Sequence, residues 1–145
     1  MSIDMQEIYD SLQEIAWHFG SNGVNGECCE DLSFVEYMAL KKACEKNVLS
    51  VQEVGNVLNF TKSGATKIIN RLEDKGYVNR KHSPIDGRVC CITITAKGKD
   101  VIDKIVKKHI AYLETAFKDI ELQKINQIKD TLQILVKVVQ QKEAI

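Results

Sequence analysis

The stretch from Leu49 to Gly98 constrains the fold most, because its hydrophobic period changes twice and its connections leave little slack. "LSVQEVGNVL" opens with Ser50 and Glu53 at the spacing of a capping box, flanked by Leu49 and Val54 as a hydrophobic staple, so a short helix starts there. "NF" follows, and Thr61 is a good N-cap for a further helix through about Lys75, ended by Gly76 where a left-handed cap residue is expected. The helical period then gives way to two strands, "YVNRKH" and "VCCITIT", around an "SPIDG" turn. Two helices joined by so short a link form a helix-turn-helix, and a hairpin placed directly after the second helix is a wing.

The flanks are helical. Residues 4–20 place Met5, Ile8, Tyr9, Leu12, Ile15, Ala16 and Phe19 on one stripe, and "GSNGVNGE" breaks it. A second capping box, Ser33 with Glu36, and a staple of Leu32 with Tyr37 start a helix running to about Lys46, which gives Glu36 a structural role ahead of a metal-binding one. Thr95 caps a helix from 96 to about 118, with Ile102, Ile105, Val106, His109, Leu113 and Ala116 on its stripe. A last helix from about 121 to 142 carries Leu122, Ile125, Ile128, Leu132, Leu135, Val136 and Val139. These terminal stripes exceed what a small core can cover, so a second subunit is the natural partner for them; Trp17 and Phe19 belong either to the core or to that interface. The expected fold is mainly α: one domain over 1–145, with a winged helix-turn-helix core at about 32–95, a two-stranded β wing, and dimerisation helices at about 4–20 and 96–143.

Net charge is zero, but unevenly spread. Residues 1–40 hold acids and no Lys or Arg, whereas residues 61–88 carry Lys62, Lys67, Arg71, Lys75, Arg80, Lys81 and Arg88 against Glu73, Asp74 and Asp86. One basic segment on an otherwise acidic chain points to a localised polyanion-binding face. No apolar run is long enough to cross a bilayer and no signal peptide opens the chain, so a cytoplasmic location is expected, with reduced thiols. Phosphate-binding and dinucleotide-binding glycine loops, zincin motifs and CxxC or HxxxH spacings are absent, which argues against an enzyme or a zinc finger. A winged helix can also serve as a protein-interaction module without specific DNA binding; the basic helix and wing argue against that alternative.

The segment from Leu49 to Lys99 resembles the MarR family of bacterial transcription regulators. "RLEDKGYV" at 71–78 is similar to the end of the family's recognition helix, Asp86-Gly87-Arg88 to its wing Asp-x-Arg, and "ITAKG" at 94–98 to the opening of its next helix. "LSFVEYMAL" at 32–40 resembles the start of its second helix, with Glu36 in place of the usual Gln. The resemblance implies a homodimer that binds a pseudopalindromic double-stranded DNA operator, as a repressor or an activator, and an effector that alters the binding.

The residues of the 61–75 helix agree with this. Ala65, Ile68, Ile69 and Leu72 fall on its apolar side, while Lys62, Ser63, Thr66, Lys67, Asn70 and Arg71 fall on polar positions that can face a major groove. Ser63, Thr66, Lys67 and Asn70 are candidates for base edges, and Lys62 and Arg71 for phosphate. Arg80, Lys81 and His82 are candidates for backbone contacts, which position a protein without reading sequence. The resemblance places Arg88 in the minor groove and gives Asp86 the orientation of the wing arginines; Asp86 beside Gly87 also reads as a turn residue.

Five cysteines include two adjacent pairs, whose spacing disfavours a disulfide framework. Cys44 reads as a buried small hydrophobe, and Cys90 shares a strand face with Ile92 and Ile94, opposite Cys91. Cys28 and Cys29 sit in the Gly/Asn-rich loop without a packing pattern, as two spare loop residues or as a sensor. Glu27, Glu30 and Asp31 around them raise the thiol pKa, which disfavours a fast redox nucleophile and favours a cation, most simply a soft, thiolate-preferring metal or metalloid. Peroxide-sensing and zinc-sensing relatives of the family are the models for these two chemistries. His109 resembles a histidine ligand of the zinc sensors, although Tyr37, Met38 and Ile105 depart from their pattern, and as part of an apolar stripe it also reads as an interface histidine. A small organic effector in the cleft between the dimer helices and the DNA-binding lobe is the third alternative.

Overall fold

A computed structural model describes residues 3–20, 30–46, 48–82 and 90–141. Nine elements follow in order: α1 (Met5–Phe19), α2 (Phe34–Lys46), β1 (Val48–Ser50), α3 (Val51–Leu58), α4 (Lys62–Asp74), β2 (Val78–His82), β3 (Cys90–Ile94), α5 (Ala96–Ala116) and α6 (Leu122–Gln140). The chain divides into two compact units, residues 1–107 and residues 108–145.

In the first unit both capping boxes form. The Ser33 N–H donates to Glu36 Oε1 at 2.9 Å while the Glu36 N–H donates to Ser33 Oγ at 3.1 Å. Ser50 and Glu53 repeat the arrangement at 3.3 and 3.0 Å. Thr61 Oγ1 accepts the Gly64 N–H at 3.1 Å to start α4, and Thr95 Oγ1 accepts the Gly98 N–H at 3.0 Å to start α5. The turn between α3 and α4 passes through Asn59 in the left-handed conformation.

The sheet departs from the expected two-stranded wing. It has three antiparallel strands in the order β1-β3-β2, with Leu49 paired to Ile92 and Arg80 paired to Ile92 from the other side. The strand missed by the sequence reading, β1, is only three residues long, too short to show a period of two, and its last residue also caps α3.

The core gathers Leu40 and Ala43 of α2, Leu49, Val54 of α3, Ala65, Ile69 and Leu72 of α4, Val78, Ile92 and Ile105 of α5, all nearly inaccessible. The four α4 residues assigned to the apolar side are its four buried ones. Cys44 is half-buried, where full burial was expected: it lies one residue off the stripe that buries Ala39, Leu40 and Ala43. Gly98 is required by a close approach, since a Cβ there would lie 2.3 Å from the Tyr77 carbonyl oxygen and 2.7 Å from Ile94 Cγ1.

α1 buries nothing, and leaves Met5, Ile8, Tyr9, Ile15, Trp17 and Phe19 exposed. In the second unit, α6 likewise has no buried residue. Leu132, Val136 and Val139 of its predicted stripe are exposed, and so are Ile134 and Val138 on the other side. Among the described residues no helix is long and apolar enough to cross a membrane.

Candidate nucleic-acid interface

The arrangement of α4 follows from its period: with Ala65, Ile68, Ile69 and Leu72 inward, Lys62, Ser63, Lys67, Asn70 and Arg71 are left exposed and Thr66 half-buried. The Thr66 hydroxyl donates to the Lys62 carbonyl at 2.8 Å, so at rest its proton is used within the helix. Ser63 Oγ lies 3.2 Å from Thr61 Oγ1.

Arg80 stands on β2, on the sheet face that carries Ile92, and turns back to α4. Its Nη2 donates to Asn70 Oδ1, and its Nε lies 3.9 Å from the Glu73 carboxylate. Among the described residues Nε has no hydrogen-bond partner. The structure thus brings together Asn70 and Arg80, which the sequence reading kept in separate roles. Lys81 is exposed on the opposite sheet face, paired with Cys91, and His82 is placed by its backbone at the end of β2 opposite Cys90. Asp86 and Arg88 lie outside the described residues, as do Cys28 and Cys29. His109 is half-buried on α5.

The end of α4 carries the Gly76 cap expected from the sequence, and beyond it contacts that sequence reasoning missed. Gly76, at φ +81°, and Tyr77 close a Schellman motif: the Tyr77 N–H donates to the Leu72 carbonyl at 3.0 Å and the Gly76 N–H to the Glu73 carbonyl at 2.9 Å. Lys75 then reaches the start of α2, donating to the Asp31 carbonyl at 2.6 Å and to Glu36 Oε1 at 3.0 Å. The Tyr77 hydroxyl donates to Asp31 Oδ1 at 2.6 Å, and Lys97 Nζ donates to the Lys75 carbonyl at 2.8 Å while lying over the Tyr77 ring. Burial pushes the Glu36 carboxyl up, but the Ser33 N–H, Lys75 and the Ser33 hydroxyl together outweigh it and leave the pKa below the ordinary value. Burial first, then the Asp31 carboxylate, pushes the Tyr77 phenol up to about 12. Lys75 and Tyr77 lie 39 to 46 residues from their Asp31 and Glu36 partners in sequence, so no local pattern announces these contacts.

A buried-cored helix pair with a basic outward second helix, followed by a β hairpin, defines a winged helix-turn-helix protein. The family model for transcriptional regulators SarA/Rot matches residues 28–105, more than half of the chain, and the protein belongs to that family. That family is one of transcriptional regulators, and the fold is that of MarR-type winged helix-turn-helix proteins. Among its relatives are the HTH-type transcriptional regulators PapX of Escherichia coli, 28% identical over 79% of this chain and 65% of PapX, and SarZ of Staphylococcus saprophyticus, 28% identical over 73% of this chain and 71% of SarZ. The chain thus spans somewhat under two thirds of PapX, and 48% of PrsX, another E. coli relative that is 34% identical over 54% of this chain. The fold is similar to that of a MarR family protein from Bacillus stearothermophilus, with TM-score 0.82 and 20% identity over 97% of this chain and all of that one. It is also similar to Streptococcus pneumoniae FabT, solved in complex with DNA, with TM-score 0.73 and 23% identity over 94% of this chain and 98% of that one.

Proposed function

We propose that the protein regulates transcription as a homodimer on a pseudopalindromic operator, with α4 in the major groove and the hairpin turn at the flanking minor groove. The observation that carries this reading is the division of α4: four apolar residues are buried, and Lys62, Ser63, Lys67, Asn70 and Arg71 are exposed on one basic, donor-rich surface. Ser63, Thr66, Lys67 and Asn70 read base edges. Lys62, Arg71, Lys81 and His82 contact phosphate, Arg88 enters the minor groove, and Asp86 orients the wing. The exposed apolar faces of α1 and α6 are what a second copy covers. An effector modulates the affinity, through Cys28 and Cys29 as thiolate ligands for a soft metal or metalloid, or through a small organic molecule.

Selection of duplexes from a random pool, followed by titration of the selected operator at several salt concentrations, tests the reading. A selected pseudopalindrome, with log affinity falling linearly as log salt rises, is expected. Arg88→Ala should weaken binding to all duplexes, while Thr66→Val should change base preference. No selected sequence and no salt dependence would refute the reading and favour a protein-interaction module.

A further inference from the structure

Asn70 and Arg80 present a combination that neither residue has alone. An asparagine amide carries an acceptor, Oδ1, and two donor hydrogens on Nδ2. It recognises adenine by using both ends at once, donating to N7 and accepting from the N6 amino group. In this structure Arg80 Nη2 already donates to Oδ1. Two features place the guanidinium there. Its strand position opposite Ile92 fixes its root on the α4-facing side of the sheet, and the Glu73 carboxylate, one turn after Asn70 on α4, lies 3.9 Å from Nε. Arg80 is half-buried, whereas Asn70 is exposed, so the amide is the part open to a ligand.

We propose that Arg80 is a specificity-determining positioning residue: by occupying Asn70 Oδ1, it makes the Asn70 side chain a donor-only reader that selects guanine over adenine at the base it faces. Guanine offers two acceptors, N7 and O6, to the major groove, whereas adenine offers one acceptor and one donor. A cation with its own N–H groups beside Oδ1 repels the adenine amino group and favours the guanine carbonyl. The second lone pair on Oδ1 does not rescue adenine, because the N6 hydrogens would approach it alongside the guanidinium donors. This inference rests on the placement of α4 in the major groove.

The experiment measures relative affinities for the full set of single-base variants of the selected operator. The proteins are the parent, Asn70→Ala, Arg80→Ala and Arg80→Met, the last keeping the apolar stem without a donor. Low salt keeps weak binders measurable. The expected result is that the parent prefers guanine over adenine roughly tenfold at one position of each half-site. Asn70→Ala flattens that preference alone, and both Arg80 variants reverse it towards adenine. A merely structural or phosphate-contacting Arg80 would lower all affinities together and leave the ratio unchanged, which overturns the proposal. A parental preference for adenine at the Asn70-dependent position also overturns it. If Asn70→Ala alters no position while the protein still selects an operator, Asn70 is not a base reader and the proposal falls. If no variant and no parent selects any duplex, the major-groove reading itself has failed.

Discussion

Lys75→Met should isolate what holds the end of α4 to the start of α2. Methionine keeps most of the stem but removes the ammonium, and with it the donations to Glu36 Oε1 at 3.0 Å and to the Asp31 carbonyl at 2.6 Å. The Glu36 side chain is 5% exposed, so removing its partner leaves a buried carboxylate whose remaining support is the Ser33 cap. Breaking a fully buried pair from one side costs about 3–5 kcal/mol. Here the Lys75 side chain is 31% exposed, so water reaches the vacated side, and the Ser33 N–H still serves Oε1. A charged hydrogen bond is the better measure, and the expected loss is about 2 kcal/mol at neutral pH. With a urea m-value of about 2 kcal/mol per molar, the midpoint falls by about 1 M at fixed protein concentration. The sign with pH follows from the depressed Glu36 pKa. Its stabilising contribution is fully present above the ordinary value of 4.5 and is lost as pH falls through the folded value. Removing Lys75 raises that folded value, so parent and variant should converge on acidification. A midpoint difference that stays the same at neutral and acid pH, or that is under about 0.5 kcal/mol at neutral pH, would refute the reasoning.

Tyr77 carries the opposite sign. Its folded pKa is raised from 10.0 to about 12, so its contribution is complete below pH 10 and disappears as pH climbs from 10 to about 12. Ultraviolet titration of the phenolate should show one of the four tyrosines ionising well above the ordinary value, and Tyr77→Phe should remove that step. Gly98→Ala should destabilise by about 1–3 kcal/mol in urea, because the new methyl meets the Tyr77 carbonyl at 2.3 Å and backbone must shift; a neutral substitution would show that the start of α5 can move off β2.

Legibility in the sequence divides along a physical line. Much of what chain-local chemistry carries was readable: both capping boxes, the Thr61 and Thr95 caps, the Gly76 terminator, and the buried side of α4 in full. Each depends on residues within one or two turns of each other, so spacing alone encodes it. Strand β1 was not readable because three residues cannot show a period, and Ser50 was already assigned as a cap. The exposed polar side of α4 was legible as the complement of its buried side, but the hydrogen-bonding state of each polar group on it was not. Whether Asn70 offers an acceptor is decided by Arg80, which arrives from the sheet after the chain has reversed through Gly76.

The same reversal explains why the clamp of Asp31, Glu36, Lys75 and Tyr77 escaped notice. Glu36 and Asp31 lie at the start of α2, Lys75 and Tyr77 at the end of α4, and only packing of α2 on α4 makes them neighbours. The capping role given to Glu36 was correct, yet it used only part of the carboxylate: Oε1 serves the Ser33 N–H and the Lys75 ammonium together. The two duties reinforce each other. The cap fixes the carboxylate rotamer, which spares Lys75 the entropy of ordering its partner, and the ammonium helps the cap offset the upward push of burial on the carboxyl pKa. A glutamine at position 36 could keep the cap through its amide oxygen but would meet Lys75 without charge. Glu36→Gln therefore separates the two: it should retain the helix start, lose most of the Lys75 coupling, and make the further removal of Lys75 nearly neutral. A Lys75→Met cost that stayed undiminished in the Glu36→Gln background would place the clamp's strength in the Asp31 contacts instead.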